Sequence, residues 1–294
     1  MTLTTTLNGY IRRDLERNGP VLIRINGAGS DVMPWAAAPP VEIHDARRLQ
    51  EGMDEGKFLE RHGFVLLPHT SKVQDWDSGG ATPYDRNEIL RVYMPEIDTL
   101  IRQRLLPGRS IEIEQGPYIV RRGPGAAGYA QGVHNDYGLT PDDYQESLEA
   151  FSTPEYARAW RQRFDRAEVA GFMVINFWRT VHMDQPLRHL PLAVCAPSSV
   201  KMEDVVPAAL VGFAPSGKNT NQLSLHYSAE QQWWYYPQMT ADEVLGFKIF
   251  QYFKDEPAAP LRTCFHTAFT DPAAPANAPQ RNSCEHRVGV FVLR

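Results

Sequence analysis

The residues best suited to chemistry lie in Val133-His134-Asn135-Asp136-Tyr137, shortly after a glycine-rich stretch at 123–128. Side chains alternate along an extended strand, so His134 and Asp136 would project from one face and could take adjacent positions around one metal ion. A second histidine from a distant strand would complete a two-histidine, one-carboxylate facial triad, the arrangement of non-heme Fe(II) oxygenases with coordination positions left open. Alone, an H-x-D pair is a weak signal, because a surface histidine beside a loop-capping aspartate is spelled the same way. Of the remaining histidines, His266 in Cys264-Phe-His-Thr-Ala-Phe269 is the first candidate, since it follows a strand-like segment and precedes the final strand. His226, in Leu225-His-Tyr227, is the second, with a hydrogen-bonded place near the aromatic cluster as its competing reading.

Iron oxygenases need an electron source, and a 2-keto acid supplies two electrons as it decarboxylates. Its far carboxylate calls for a cation, and the planar fork of arginine matches a carboxylate with two bonds. Arg287 opens the last strand after His266, and Arg281 stands six positions earlier, facing the same way if the stretch is extended. Against this stands the ordinary surface ion pair, worth little. Softer pocket candidates are Tyr137, Asn176 and Arg179 near the end of an apolar strand, His226, and Trp234 within Gln232-Trp-Trp-Tyr-Tyr236, a cluster that reads at least as well as core. No G-x-S-x-G elbow or P-loop is present, which weakens the hydrolase and NTPase classes.

These residues need elements to hold them. From about residue 110 the chain reads as many short strands separated by Pro, Gly and Asn: Ile111–Glu114, Tyr118–Arg121, Ala170–Trp178, Leu190–Ala196, Leu210–Phe213, Ser224–Tyr227, Trp233–Tyr236, Val244–Tyr252 and Arg287–Leu293. That grammar predicts a β-sandwich or barrel. Val244–Tyr252 is ambiguous, because Thr240-Ala-Asp-Glu243 spells a helix capping box. Thr140-Pro141 and Thr153-Pro154 predict two helix starts. Before residue 110, Val21–Ile25 and Phe64–Pro68 read as strands and Ala46–His62 as a helix. Another helix is expected to open at Thr82-Pro83 and carry an apolar stripe from Ile89 to Leu105, broken or kinked at Pro95. That stripe could cover the barrel or a partner subunit of a homodimer. The expected organisation is a helical, mixed N-terminal support (1–109) packed on a β catalytic core (110–294), one compact unit.

Composition narrows the setting. Lys plus Arg number 30 against 35 Asp plus Glu, a net charge of −5, which argues against a general nucleic-acid binder. Three cysteines at unrelated spacings make no disulfide framework, so a reducing cytoplasm is the default. The longest apolar run, Ala170–Trp178, is too short to cross a bilayer, and the N-terminus has no secretory signal, so no membrane role is expected.

The ordered motifs VHNDYG, INFWRT, LPLAVCAPSSV, WWYYPQMTADEVLGFK, HTAFTDP and APQRNSCEHRVGVF, spread over roughly 110–294, resemble the family typified by the cephamycin-pathway 7α-hydroxylase component and the fungal gibberellin desaturase. The resemblance implies a mainly β fold with flanking helices, a double-stranded β-helix (jelly roll), and an Fe(II)/2-oxoglutarate-dependent dioxygenase. Such an enzyme takes O2 and a small natural-product or amino-acid-like substrate and oxidises an unactivated C–H bond by hydroxylation, desaturation or cyclisation. It implies His134, Asp136 and His266 as iron ligands and makes Arg287, with Arg281 close behind, the 2-oxoglutarate candidates. It also moves Val244–Tyr252 toward strand. Gly138 departs from the Thr-like residue usual after HNDY, which suggests a roomier pocket or a more mobile loop there. Two other readings stay open: an iron oxidase that uses O2 without 2-oxoglutarate, and a non-redox, cupin-like metal binder.

Overall fold

A strand covered on both faces can be apolar at nearly every position, and Val169–Thr180 is such a strand, with all but one of its residues buried. The computed structural model describes residues 2–15, 18–24, 35–77, 82–122, 132–257 and 260–294; the glycine-rich stretch at 123–128 lies outside them. In chain order the strands and α-helices are β1 (Thr2–Thr5), β2 (Val21–Arg24), β3 (Val41–Asp45), α1 (Ala46–Gln50), α2 (Glu55–His62), β4 (Phe64–Pro68), α3 (Met94–Leu100), β5 (Ile111–Arg122), β6 (His134–Asn135), α4 (Pro141–Phe151), α5 (Pro154–Asp165), β7 (Val169–Thr180), β8 (Leu192–Cys195), β9 (Val205–Val211), β10 (Thr220–Leu225), β11 (Trp233–Tyr235), β12 (Glu243–Phe253), β13 (His266–Ala268) and β14 (Asn282–Leu293).

They form two sheets facing one another. One has five strands in the order β4-β12-β7-β14-β5, and the other nine in the order β1-β3-β11-β8-β13-β6-β10-β9-β2. The crossing between sheets by successive strands is the jelly-roll arrangement. The first 109 residues supply β1–β4 to both sheets as well as helices. The outer face of the five-stranded sheet is covered by Phe58 of α2, Ile97 of α3 and their neighbours, which share one core with the inter-sheet residues.

Local departures from the expected elements have physical causes. The expected Ala46–His62 helix is two helices, broken where Gly52 takes a left-handed φ of 73°. Thr82-Pro83 leads only to a 3₁₀ turn at Tyr84–Arg86. The apolar stripe is one helical run in which π turns at Ile89–Tyr93 and Ile101–Leu105 flank α3. Pro95, expected to break it, sits in the first turn of α3, just after that wider turn, where its missing N–H costs least. β12 is a strand; Glu243 uses its carboxylate on the Thr240 N–H, 2.9 Å away, to close a turn and not to start a helix. β9 begins before its expected start, with Pro207 at a position β2 does not reach, so the missing N–H breaks no ladder there. β10 likewise lies earlier than expected, ending at Leu225.

Candidate metal and substrate site

β6 and β13 are neighbours, and their register places His266 directly opposite His134. The two imidazole centroids are 4.3 Å apart. Asp136 follows in a bend that Asn135 pins, its Nδ2 donating to the carbonyls of Tyr137 (2.7 Å) and Ile249 (3.0 Å). Asp136 Oδ1 then lies 3.4 Å from His134 Nε2 and 3.9 Å from His266 Nε2. One donor atom from each of the three falls within 4.8 Å of the others.

The histidine tautomers suit a cation. His134 Nδ1 is 2.7 Å from the Gly132 carbonyl, and His266 Nδ1 is 3.3 Å from that of Cys264. A carbonyl only accepts, so each Nδ1 carries the hydrogen and each Nε2 lone pair is left for a metal. Burial pushes His266 down to about 4, with repulsion from His134 adding to it. Burial works against the Asp136 carboxylate, but the charge of Arg287 and both histidines outweigh it and hold Asp136 well below the usual carboxylate range. His134 is also opposed by burial, yet its bond to Asp136 leaves it raised. Two neutral nitrogens and one anionic oxygen on a common point are the donor set of a ferrous facial triad, so the residues fit that ion.

Facing them on β7 and β14 is a ladder of inward side chains. Register pairs Thr180 with Ser283, Trp178 with Glu285, Asn176 with Arg287, Val174 with Gly289 and Phe172 with Phe291. A bulge in the β5–β14 pairing sets Gly116 and Pro117 against Arg287, and a Cβ on Gly116 would lie 2.4 Å from the Arg287 carbonyl oxygen. Arg287 Nε donates to Asp136 Oδ2 at 2.8 Å, and its Nη2 lies 2.9 Å from Glu285 Oε1. Glu285 Oε2 in turn lies 2.7 Å from Arg121 Nη1. Burial would raise Glu285, but Arg287 and Arg121 together hold it low. Arg281 is buried at the head of the same ladder, donating to the Leu190 carbonyl at 2.6 Å with its guanidinium 5.6 Å from the Trp178 ring. Next to it the Ser283 and Thr180 hydroxyls are buried with no hydrogen-bond partner among the described residues.

The softer pocket candidates are placed differently. Tyr137 lines a cleft of about 380 Å³ that also reaches Asp136 and Arg287. Asn176 is buried opposite Arg287, its Oδ1 unpartnered among the described residues. Arg179 does not join them: one position out of phase, it points to the outer face, donates to the His69 and Ala241 carbonyls and stacks near Trp76 at 5.3 Å. His226 also lies away from the cleft, its Nδ1 2.8 Å from the Ile11 carbonyl. Trp234 shares the inner row with Val194 and His266 but is two strands from the latter, against His44 at 5.1 Å. Gly138 brings no extra room, because a Cβ there would sit 2.5 Å from the Asp143 side chain that caps α4. Sequence reading passed over Glu285, Arg121 and Ser283, although each shares strand parity with an arginine already singled out or pairs beside one. It had no signal for the cleft wall built by α4 and α5.

Fold and site together define a jelly-roll protein in which two histidines and one carboxylate converge as a set that could hold a metal ion. The chain belongs to the family described as oxidoreductase/YMDC permease-like domain, which matches residues 15–291. Among curated relatives, the hydroxylase/desaturase efuI of Hormonema carpetanum is 27% identical, over 99% of this chain and 95% of its own length. The Fe(II)/2-oxoglutarate-dependent dioxygenase nvfI of Aspergillus novofumigatus is 26% identical over 85% and 82%, and the alpha-ketoglutarate-dependent dioxygenase phiK of a fungal species 24% over 78% and 77%. The solved iron and alpha-ketoglutarate-dependent endoperoxidase NvfI superposes with a TM-score of 0.70 at 20% identity, covering 100% of this chain and 98% of its own, which establishes the fold. Among the described residues no helix is long and apolar enough to cross a membrane.

Proposed function

We propose that His134, Asp136 and His266 hold the ferrous ion of this Fe(II)/2-oxoglutarate-dependent dioxygenase, and that Arg281, with Ser283 and Thr180, receives the far carboxylate of 2-oxoglutarate. The convergence of three ligand atoms within 4.8 Å of one another, drawn from β6, the bend after it and β13, carries the reading. When bound, iron and 2-oxoglutarate would supply the activation of O2, with conversion of the keto acid to succinate and CO2 giving two of the four electrons that reduce O2 and the substrate C–H bond giving the other two. The protein's part is positioning. Backbone carbonyls of Gly132 and Cys264 hold both imidazoles in the ligating tautomer. Arg287 occupies Asp136 Oδ2, which leaves Oδ1 as the oxygen turned to the histidines. Because Arg287 is already bonded to two carboxylates, Arg281 is the better partner for the keto acid, with two hydroxyls beside it to complete the anion's hydrogen bonds. Tyr137 and Asn176 flank the substrate side. Cys195, Cys264 and Cys284 are buried and form no disulfide among the described residues, in keeping with a reducing, cytoplasmic setting.

Anaerobic addition of Fe(II) and 2-oxoglutarate should give a weak visible charge-transfer band, lost in His134→Ala, and O2 should then release succinate. Turnover with no requirement for 2-oxoglutarate would overturn the cofactor assignment, and a band that survives His134→Ala would overturn the ligand set.

A further inference from the structure

We propose that the cleft beside the triad binds a neutral, largely apolar small molecule whose hydroxyl or carbonyl group docks on Gln222; this rests on the oxygenase reading and specifies its substrate class. The cleft, of about 380 Å³, runs from Asp136 and Arg287 toward α4, within the roughly 300–1,000 Å³ range of small-ligand sites. Its walls are mostly Tyr137, Tyr144, Leu148, Val174 and Leu210.

Charge excludes an acidic ligand. Among the described lining residues the charged ones are Glu114, Asp136 and Arg287, and each is matched. Arg287 is held between Asp136 and Glu285. Glu114 accepts from Tyr156 Oη at 2.7 Å and pairs with Arg163 Nη1 at 3.1 Å. A ligand carboxylate would enter a balanced, buried site and have to compete with two protein carboxylates for one arginine, which costs desolvation without a new partner.

A neutral polar anchor is present. Gln222 is buried, lines the cleft, and its side-chain amide has no hydrogen-bond partner among the described residues. It stands on β10 two residues from Ser224, which pairs with His134, so strand spacings put it about 8 Å from the His134 backbone. An amide both donates and accepts, which suits a hydroxyl or a carbonyl. The mouth is apolar as well. Phe151, Tyr156 and Phe213 line it at 42%, 40% and 39% exposure, three of the six large hydrophobic side chains exposed among the described residues. Phe151 and Phe213 meet edge-on at 5.5 Å. Exposed aromatics gathered at the entrance of an apolar cavity mark a binding surface.

The test uses two fluorescent probes of similar size, neutral Nile red with its ring carbonyl and anionic 1-anilinonaphthalene-8-sulfonate, titrated into the full chain. Nile red should bind one site with blue-shifted emission. Leu148→Trp or Leu210→Trp, each filling the cleft from one wall, should weaken it about tenfold or more, and Gln222→Leu should weaken it severalfold. The sulfonate should bind at least about tenfold more weakly than Nile red. Equal or tighter binding of the sulfonate in competition with Nile red, or Nile red binding indifferent to both tryptophan variants, would overturn the proposal. The Fe(II)/2-oxoglutarate band, recorded without either probe, tests the parent reading separately. Its absence beside cleft-dependent Nile red binding would remove the oxygenase and leave the neutral cleft standing.

Discussion

At the scale of single residues, the two arginines divide the work. Arg287 holds an oxygen of a proposed metal ligand, and Arg281 lies beside two hydroxyls that have no partner among the described residues. Groups that orient a ligating carboxylate typically tune metal affinity by about 10–100-fold when removed. Arg287→Gln should therefore weaken Co(II) binding, followed through its visible spectrum, by about tenfold, with partial recovery in Arg287→Lys. The KM for 2-oxoglutarate should move little in either variant. Arg281→Gln should do the reverse, raising that KM by about tenfold or more as a charge-assisted bond is lost, with Co(II) affinity unmoved. Exchange of the two phenotypes would return Arg287 to the cofactor role expected from sequence. The H-x-D spacing made His134 and Asp136 legible in one dimension, whereas Glu285 and Arg121 carry no such mark, because an ion pair spanning two strands exists only once register is set.

At the scale of elements, the insertion between β6 and β7 builds the cleft wall. α4 starts at a full capping box, Thr140 accepting from the Asp143 N–H while Asp143 accepts from that of Thr140. α5 drives Trp160 and Phe164 onto Phe172 and Phe291 at the end of the five-stranded sheet. Thr140→Ala should lower stability by about 1 kcal/mol, read from the urea midpoint, with Co(II) affinity unchanged. Trp160→Ala should cost about 3 kcal/mol or more. Gly138→Ala should destabilise too, since its Cβ has to displace Asp143 from the cap. Both helix starts were legible because Thr-Pro followed by acid is a local signal. The Ile89–Leu105 run was harder, since α and π turns share one apolar stripe and differ only in how Pro95 is accommodated.

At the scale of the whole molecule, the five-stranded sheet separates the site from a helical layer, and its outer face carries a titratable burden. His286 is fully buried against Tyr93, with neither ring nitrogen bonded among the described residues. Burial first, and the charge of Arg287 second, push it from 6.5 down to about 3. The folded protein thus keeps it neutral while the unfolded chain takes up a proton below pH 6.5, so stability present above that pH is lost as pH falls toward 3. At pH 5 the loss amounts to about 2 kcal/mol. Thermal melts from pH 7 to 5 should show this decline added to that of His266, which burial also holds down at about 4, and His286→Phe, which keeps the ring contact, should make it shallower. An equally steep decline in the variant would assign the effect elsewhere.

The sequence by itself determined the strand-rich core, the two capped helices and the H-x-D pair, because period, capping and parity are properties of neighbours along the chain. That His266 meets His134, that Arg287 is spent on Asp136, that Arg179 faces away and that α4 closes a neutral cleft were decided by tertiary structure. Each depends on which strands become neighbours and in what register, and one residue of slip on a strand turns every side chain to the other face.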